Sequence, residues 1–153
     1  MTKNRFITRN MDEISRLKET ITGFWTTSLP ELNRLADGNA DSKIIESVLE
    51  ELVDVAVTGH VECASQAQVI LAVKYRDVTE KNKQDIIRWI FDYTEKYNED
   101  SWKYFLGFNL VMKLNWKELY IEYIKRYDSF LRFEFDDDYI EEYGLGQYIK
   151  DSE

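Results

Sequence analysis

The sequence predicts an all-α fold with about six helices. Two observations support this prediction. The chain has only one proline and six glycines in 153 residues, so few positions interrupt a helix. Apolar residues also recur at three- and four-residue steps through most of the chain. Because 153 residues is a usual domain size and no linker-like segment divides the chain, we expect a single helical domain over residues 1–153.

The first predicted helix carries an apolar stripe and follows Asn10, a suitable N-cap residue. The stripe consists of Met11, Ile14, Leu17, Lys18, Ile21, Phe24 and Trp25. Pro30 disfavours helical geometry at the residue before it, so we expect this helix to end or bend near Ser28. A short helical continuation to Ala36 and a turn at 37–41 complete this region.

Two helices are predicted between residues 41 and 75, with Gly59 as the stop between them. Asp41 or Ser42 caps the first of these helices. The second helix runs from Val61 to Tyr75 and is the least charged stretch of the chain. We therefore expect the second helix to lie at the centre of the core.

Three further helices are predicted downstream. Residues 77–79 open the fourth helix, and a turn at 98–101 precedes a fifth helix from Trp102 to Leu114. Asn115 is predicted to cap the sixth helix, which we expect to fray after Phe130.

The short connections predict that neighbouring helices run antiparallel. The helices from Ser42 to Leu114 then form two hairpins of roughly 35–40 residues each, close to the period of HEAT or armadillo repeats. A compact helical bundle fits the same pattern. Residues 133–149 alternate differently and are predicted to be an irregular acidic and aromatic C-terminal segment.

The cysteine content and the net charge limit the compartments and the partner classes that suit this chain. Cys63 is the single cysteine, which suits a reducing compartment, and the chain has neither a secretory pattern at its start nor an apolar run of membrane-spanning length. We therefore expect a cytoplasmic protein without membrane contact. The net charge of −9 repels nucleic acid and attracts basic proteins.

The sequence offers few groupings for catalysis or for cofactor or metal binding. His60 and Cys63 are the only histidine and cysteine, and we interpret them as a helix-start residue and a buried thiol. Zinc needs about four ligands of these types. The acidic run 136–138 lacks calcium-loop spacing, and the glycines at 144 and 146 do not follow a strand. We expect no catalytic, cofactor or metal residues, with an enzyme built on carboxylates as the remaining alternative.

Aromatic residues are concentrated in the C-terminal part of the chain, where 18 of the 22 lie between Trp89 and Tyr148. The region holds more tyrosines than one small core is expected to hide: Tyr97, Tyr104, Tyr120, Tyr123, Tyr127, Tyr139, Tyr143 and Tyr148. From Phe133 to Tyr143 the aromatics alternate with six acids and no base. Such a stretch either packs back on the last helix or competes with nucleic acid for a basic groove. On the second interpretation the partner-binding residues are Glu134, Phe135, Asp136, Asp137, Asp138, Tyr139, Glu141, Glu142 and Tyr143.

In its small size, acidity and acidic–aromatic stretch, the chain resembles bacterial toxin-immunity proteins, including those of contact-dependent growth inhibition systems. This resemblance implies a cognate nuclease toxin as the basic partner that the chain neutralises. Acidic phage inhibitors of defence nucleases have a similar profile. A helical-repeat scaffold or adaptor for protein–protein interaction is the alternative from a different functional class.

Overall fold

A computed structural model describes residues 2–38, 42–75, 78–96 and 102–134, with side chains described over 12–38, 42–75, 78–96 and 104–129. Within these ranges every regular element is helical, as the sequence predicts. The α-helices are α1 Thr2–Ile21, α2 Trp25–Asp37, α3 Ser42–Ser47, α4 Leu49–Thr58, α5 Val61–Val69, α6 Glu80–Lys96, α7 Trp102–Leu114 and α8 Lys117–Glu134. A π-helical turn, Ile70–Lys74, continues α5.

Several predicted boundaries are confirmed. α7 runs from Trp102 to Leu114, and Gly59 separates α4 from α5. Thr79 opens α6, because its hydroxyl oxygen accepts a hydrogen bond from the Asn82 backbone N–H at 3.1 Å.

The N-terminal helix differs from its predicted form. Asn10 lies inside α1 rather than capping it, and α1 ends at Ile21, seven residues before Ser28. The chain leaves the helix through Thr22 and Gly23, and α2 begins only two residues later. Pro30 lies inside α2, where it neither ends nor begins a helix.

Three other boundaries were predicted wrongly. The helix expected from residue 42 to Gly59 is broken at Val48, whose backbone (φ −126°, ψ 21°) separates α3 from α4. The Val61–Tyr75 helix changes to π geometry at Ile70. Asn115 does not cap α8. It has a positive φ of 56° after the end of α7, a conformation that asparagine tolerates better than most residues.

The core is organised around α4, which contacts α1, α5, α6, α7 and the π-helical turn. Six side chains of α4 are buried: Leu49, Leu52, Val53, Val55, Ala56 and Val57. α5, which was expected at the centre, contacts α2, α4 and α7. Its buried residues are mostly small, including Cys63, Ala64 and Ala67. α5 has the low charge of a core helix, but the larger apolar face of α4 takes the central place.

The aromatic residues of α6, α7 and α8 pack together. The Tyr123 ring contacts Phe91 and Tyr127 at centroid distances of 6.2 and 4.8 Å, and the Tyr123 hydroxyl donates to the Tyr104 carbonyl oxygen at 2.6 Å. Tyr104, Tyr120, Tyr123 and Tyr127 are all buried, so the core holds every tyrosine of the predicted set whose side chain the structure describes. The other tyrosines of that prediction, at 97, 139, 143 and 148, lie outside the described residues.

Across the part of the chain that the structure describes, no helix combines the length and apolarity needed to cross a membrane.

Candidate functional site

The partner-binding residues predicted from sequence lie outside the described side chains. Glu134 ends α8 and only its backbone is described, whereas residues 135–143 fall beyond the described range. The acidic–aromatic stretch therefore stays a prediction.

A different aromatic surface is present in the described part of the chain. Phe24 has 70% of its surface exposed, Val61 49% and Trp25 39%. Together with His60, which is also exposed, these residues form what we call the ring cluster (Phe24, Trp25, His60 and Val61). Large apolar side chains that are exposed side by side are typical of binding surfaces, whereas single exposed ones are ordinary.

Two helix starts bring the ring cluster together. Phe24 is the N-cap residue of α2 and His60 is the N-cap residue of α5. The Trp25 and His60 rings stack with centroids 4.6 Å apart and an interplanar angle of 13°. Phe24 lies 6.2 Å from Trp25 at an angle of 47°. The cluster therefore joins residues that are 35 positions apart in the chain.

Hydrogen bonds hold the backbone beneath the rings. The Ser28 hydroxyl donates to the Ile21 carbonyl oxygen at 2.7 Å, which ties α2 to the end of α1. The Cys63 thiol donates to the Trp25 carbonyl oxygen at 3.7 Å. Burial raises the pKa of this thiol, so it stays protonated and acts as a small core residue. The rings thus lie on a fixed support.

His60 takes the helix-start role that the sequence predicts. Its Nδ1 accepts a hydrogen bond from the Glu62 backbone N–H at 3.4 Å, and Cys63 is buried below it. Nδ1 bonds to the backbone of α5, and the ring stacks on Trp25. The histidine therefore holds the two helix starts side by side and forms part of the exposed surface.

A side groove of about 460 Å³ adjoins the ring cluster and shares Val61 with it. It is lined by Leu29, Asn33, Val61, Glu62, Ser65 and Gln66. Gln66 Nε2 donates to Asn33 Oδ1 across the groove at 2.6 Å. Glu62 is the one charged residue in this lining. The groove thus gives the aromatic surface a polar border with a single negative charge.

Two other features of the described surface are a second groove and a tyrosine with a raised pKa. A groove of about 560 Å³ between α1, α2 and α3 is lined by both acids and bases, and its Arg34 is paired with Glu31 in the same lining. On α4 and α6, burial and the nearby carboxylates of Glu50, Asp54 and Glu51 raise the pKa of Tyr93 to about 12. Over the described residues, no group of three or more His, Cys, Asp or Glu side chains could hold a metal ion.

Comparison with protein-family models, with curated proteins and with solved structures finds no match to this chain.

Sequence reasoning missed the ring cluster because Phe24 and Trp25 continue the three- and four-residue spacing of α1. That spacing predicted that both rings belong to the apolar stripe of one helix, but α1 ends before the two rings. The pair Thr22–Gly23 directly after Ile21 was the available signal, since glycine commonly follows the last residue of a helix.

Proposed function

We propose that this chain is a binding protein that neutralises a basic protein partner, with the ring cluster as part of its contact surface. The observation that carries the proposal is the exposure of the neighbouring Phe24 and Trp25 rings on a supported backbone, with exposed Val61 next in the chain to the His60 that stacks on Trp25. Aromatic anchors of this kind supply most of the binding free energy in many protein interfaces.

Charge supports a basic partner. The net charge of −9 accelerates encounter with a positively charged protein and opposes binding to nucleic acid. The resemblance to immunity proteins makes a cognate nuclease toxin our proposed partner, and a defence nuclease inhibited by a phage protein is the related possibility. The stretch from Glu134 to Tyr143 is proposed as a second contact region, because its six acids complement a basic cleft.

The test begins with capture of the partner from the source cell at low and high salt, using the tagged full chain. A captured basic protein is then expressed alone and together with this chain. We expect growth arrest when the partner is expressed alone and recovery when the chain is present. A captured protein that is harmless when expressed alone contradicts the neutralising role.

Two valines provide a matched pair for locating the contact surface. Val61 lies in the ring cluster and is 49% exposed, whereas Val73 lies in the π-helical turn and is 54% exposed. Val61→Ser, alone or combined with Phe24→Ser, should weaken partner binding and protection, and Val73→Ser should leave both unchanged. Equal effects of Val61→Ser and Val73→Ser would remove the ring cluster from the proposal.

The adaptor function is the second candidate, and the groove between α1, α2 and α3 favours it. Its apolar residues Ile14, Leu17 and Ile44 offer a surface to a peptide or a subunit. An adaptor of this kind would use the stacked-hairpin arrangement of HEAT or armadillo repeats. Recovery of a multi-subunit assembly in the capture experiment, lost on Ile44→Ser but not on Val61→Ser, would favour this function.

A further inference from the structure

We infer that the ring cluster binds an arginine side chain of the basic partner, with the guanidinium lying on the exposed rings and paired with Glu62. This inference rests on the proposed function and specifies the chemistry of the contact.

The exposed rings suit a planar cation. His60 covers one face of Trp25 by parallel stacking, yet Trp25 keeps 39% of its surface exposed and Phe24 keeps 70%. Trp25 thus keeps exposed area beyond the His60 stack, and the Phe24 ring lies 6.2 Å away. A guanidinium is planar and weakly hydrated, so it stacks on aromatic faces more readily than a lysine ammonium.

A carboxylate belongs to the groove that adjoins the ring cluster. Glu62 is exposed, lies two residues after His60 and lines the side groove. Among the described residues, no ion pair or hydrogen bond involves its carboxylate. Arginine binds a carboxylate through two parallel N–H donors while its flat face stays free for stacking.

The chain itself contains the same combination of arginine, aromatic ring and carboxylate. The Arg126 guanidinium carbon lies 4.0 Å from the centroid of Phe91, and its nitrogens lie 3.0 Å from Glu122 and 3.6 Å from Glu95. In this internal example, one arginine stacks on a ring face and pairs with carboxylates at the same time. The ring cluster and Glu62 offer a ring face and a carboxylate without such an arginine.

Charge complementarity favours this occupant over a negatively charged one. Neither the ring cluster nor the side groove contains a lysine or an arginine. The groove between α1, α2 and α3 instead has three bases, Arg16, Arg34 and Lys43, and two acids in its lining, which makes it less favourable for an incoming arginine. We therefore place the arginine contact at the ring cluster.

The experiment uses the ¹⁵N-labelled full chain and two probes of equal charge, a hexa-arginine and a hexa-lysine peptide. The chain has four tryptophans, and Trp25→Phe assigns the indole N–H resonance of Trp25. We expect hexa-arginine to shift this resonance in a saturable way, with affinity about three- to fivefold higher than hexa-lysine. Glu62→Gln and Phe24→Ser should each weaken hexa-arginine binding by a similar factor, and Val73→Ser should not.

Three results would overturn the inference. The first is an unchanged Trp25 resonance, and the second is an equal shift with hexa-lysine, which would indicate charge attraction alone. The third is a Trp25 shift that depends on protein concentration without peptide, which would make a second copy of the chain the occupant. If Phe24→Ser abolishes protection against the partner but hexa-arginine leaves Trp25 unchanged, the arginine contact fails and the proposed function stands.

Discussion

Replacement of Gln68 by methionine should destabilise the protein strongly, because Gln68 joins three helices inside the core. Gln68 on α5 is 2% exposed. Its Nε2 donates to the Ala56 carbonyl oxygen on α4 and to the Leu106 carbonyl oxygen on α7, both at 3.1 Å. Lys113 Nζ in turn donates to Gln68 Oε1 at 2.8 Å. The Ala56 carbonyl belongs to the last turn of α4, where carbonyl oxygens have no partner within their own helix.

The magnitude follows from these contacts. Methionine keeps the volume of glutamine but supplies no N–H donor, so the Ala56 oxygen loses its partner in a buried position. A lost hydrogen bond that leaves a buried group unsatisfied costs about 1–3 kcal/mol, and we expect about 2–3 kcal/mol for Gln68→Met in total. That is a large share of a typical domain stability of about 5–15 kcal/mol.

Urea unfolding followed by circular dichroism measures this change. Gln66→Met is the matched control, since Gln66 lies on the same helix, is only partly buried and donates to the Asn33 side chain instead of a core carbonyl. We expect the control to cost less than about 1 kcal/mol. If Gln68→Met and Gln66→Met agree within about 0.5 kcal/mol, Gln68 does not tie the helices together and the reasoning is refuted.

Three further predictions concern the core, a titrating tyrosine and a helix start. Gly107→Ala should destabilise the protein by about 1–3 kcal/mol in urea unfolding, because the added Cβ overlaps the buried Tyr123 hydroxyl, and Tyr123→Phe should recover part of this loss when the two are combined. Tyr93 loses its phenolic proton near pH 10 in the unfolded chain and near pH 12 in the folded chain. The free energy of unfolding should therefore fall between about pH 10 and 12, by at most about 1.4 kcal/mol per pH unit from this group. Tyr93→Phe should remove that part of the slope in unfolding measured against pH, and an unchanged slope would contradict the assignment. Thr79→Ala should cost about 1 kcal/mol in thermal unfolding through loss of the bond to the Asn82 N–H, whereas Thr79→Ser should cost much less.

Local chemistry made part of the fold predictable. The limits of α7 followed from residues of turn-forming type at 98–101 in the sequence and from the apolar run behind them, and the start of α6 followed from the capping hydroxyl of Thr79. The break at Val48 could not be predicted, because no glycine or proline lies near it and the small helix penalty of a β-branched valine is shared by valines inside α4. The Val48 side chain is fully buried, so the break between α3 and α4 lies at a residue that packs in the core.

The sequence by itself determined the helical class, the acidity and a few helix limits, such as Gly59 and Thr79, because these depend on composition and on neighbours within a few positions. The tertiary structure decided which rings are buried. Tyr104, Tyr120, Tyr123 and Tyr127 pack among α6, α7 and α8, whereas the sequence predicted only that the eight tyrosines would not all be hidden and did not say which of them are buried. Phe24 and Trp25 were predicted to lie on the apolar stripe of the first helix, yet they are exposed. α1 ends before them, and Trp25 meets His60 only when α2 and α5 pack together. Burial depends on what lies across from a side chain, and residues from distant parts of the chain supply that neighbour.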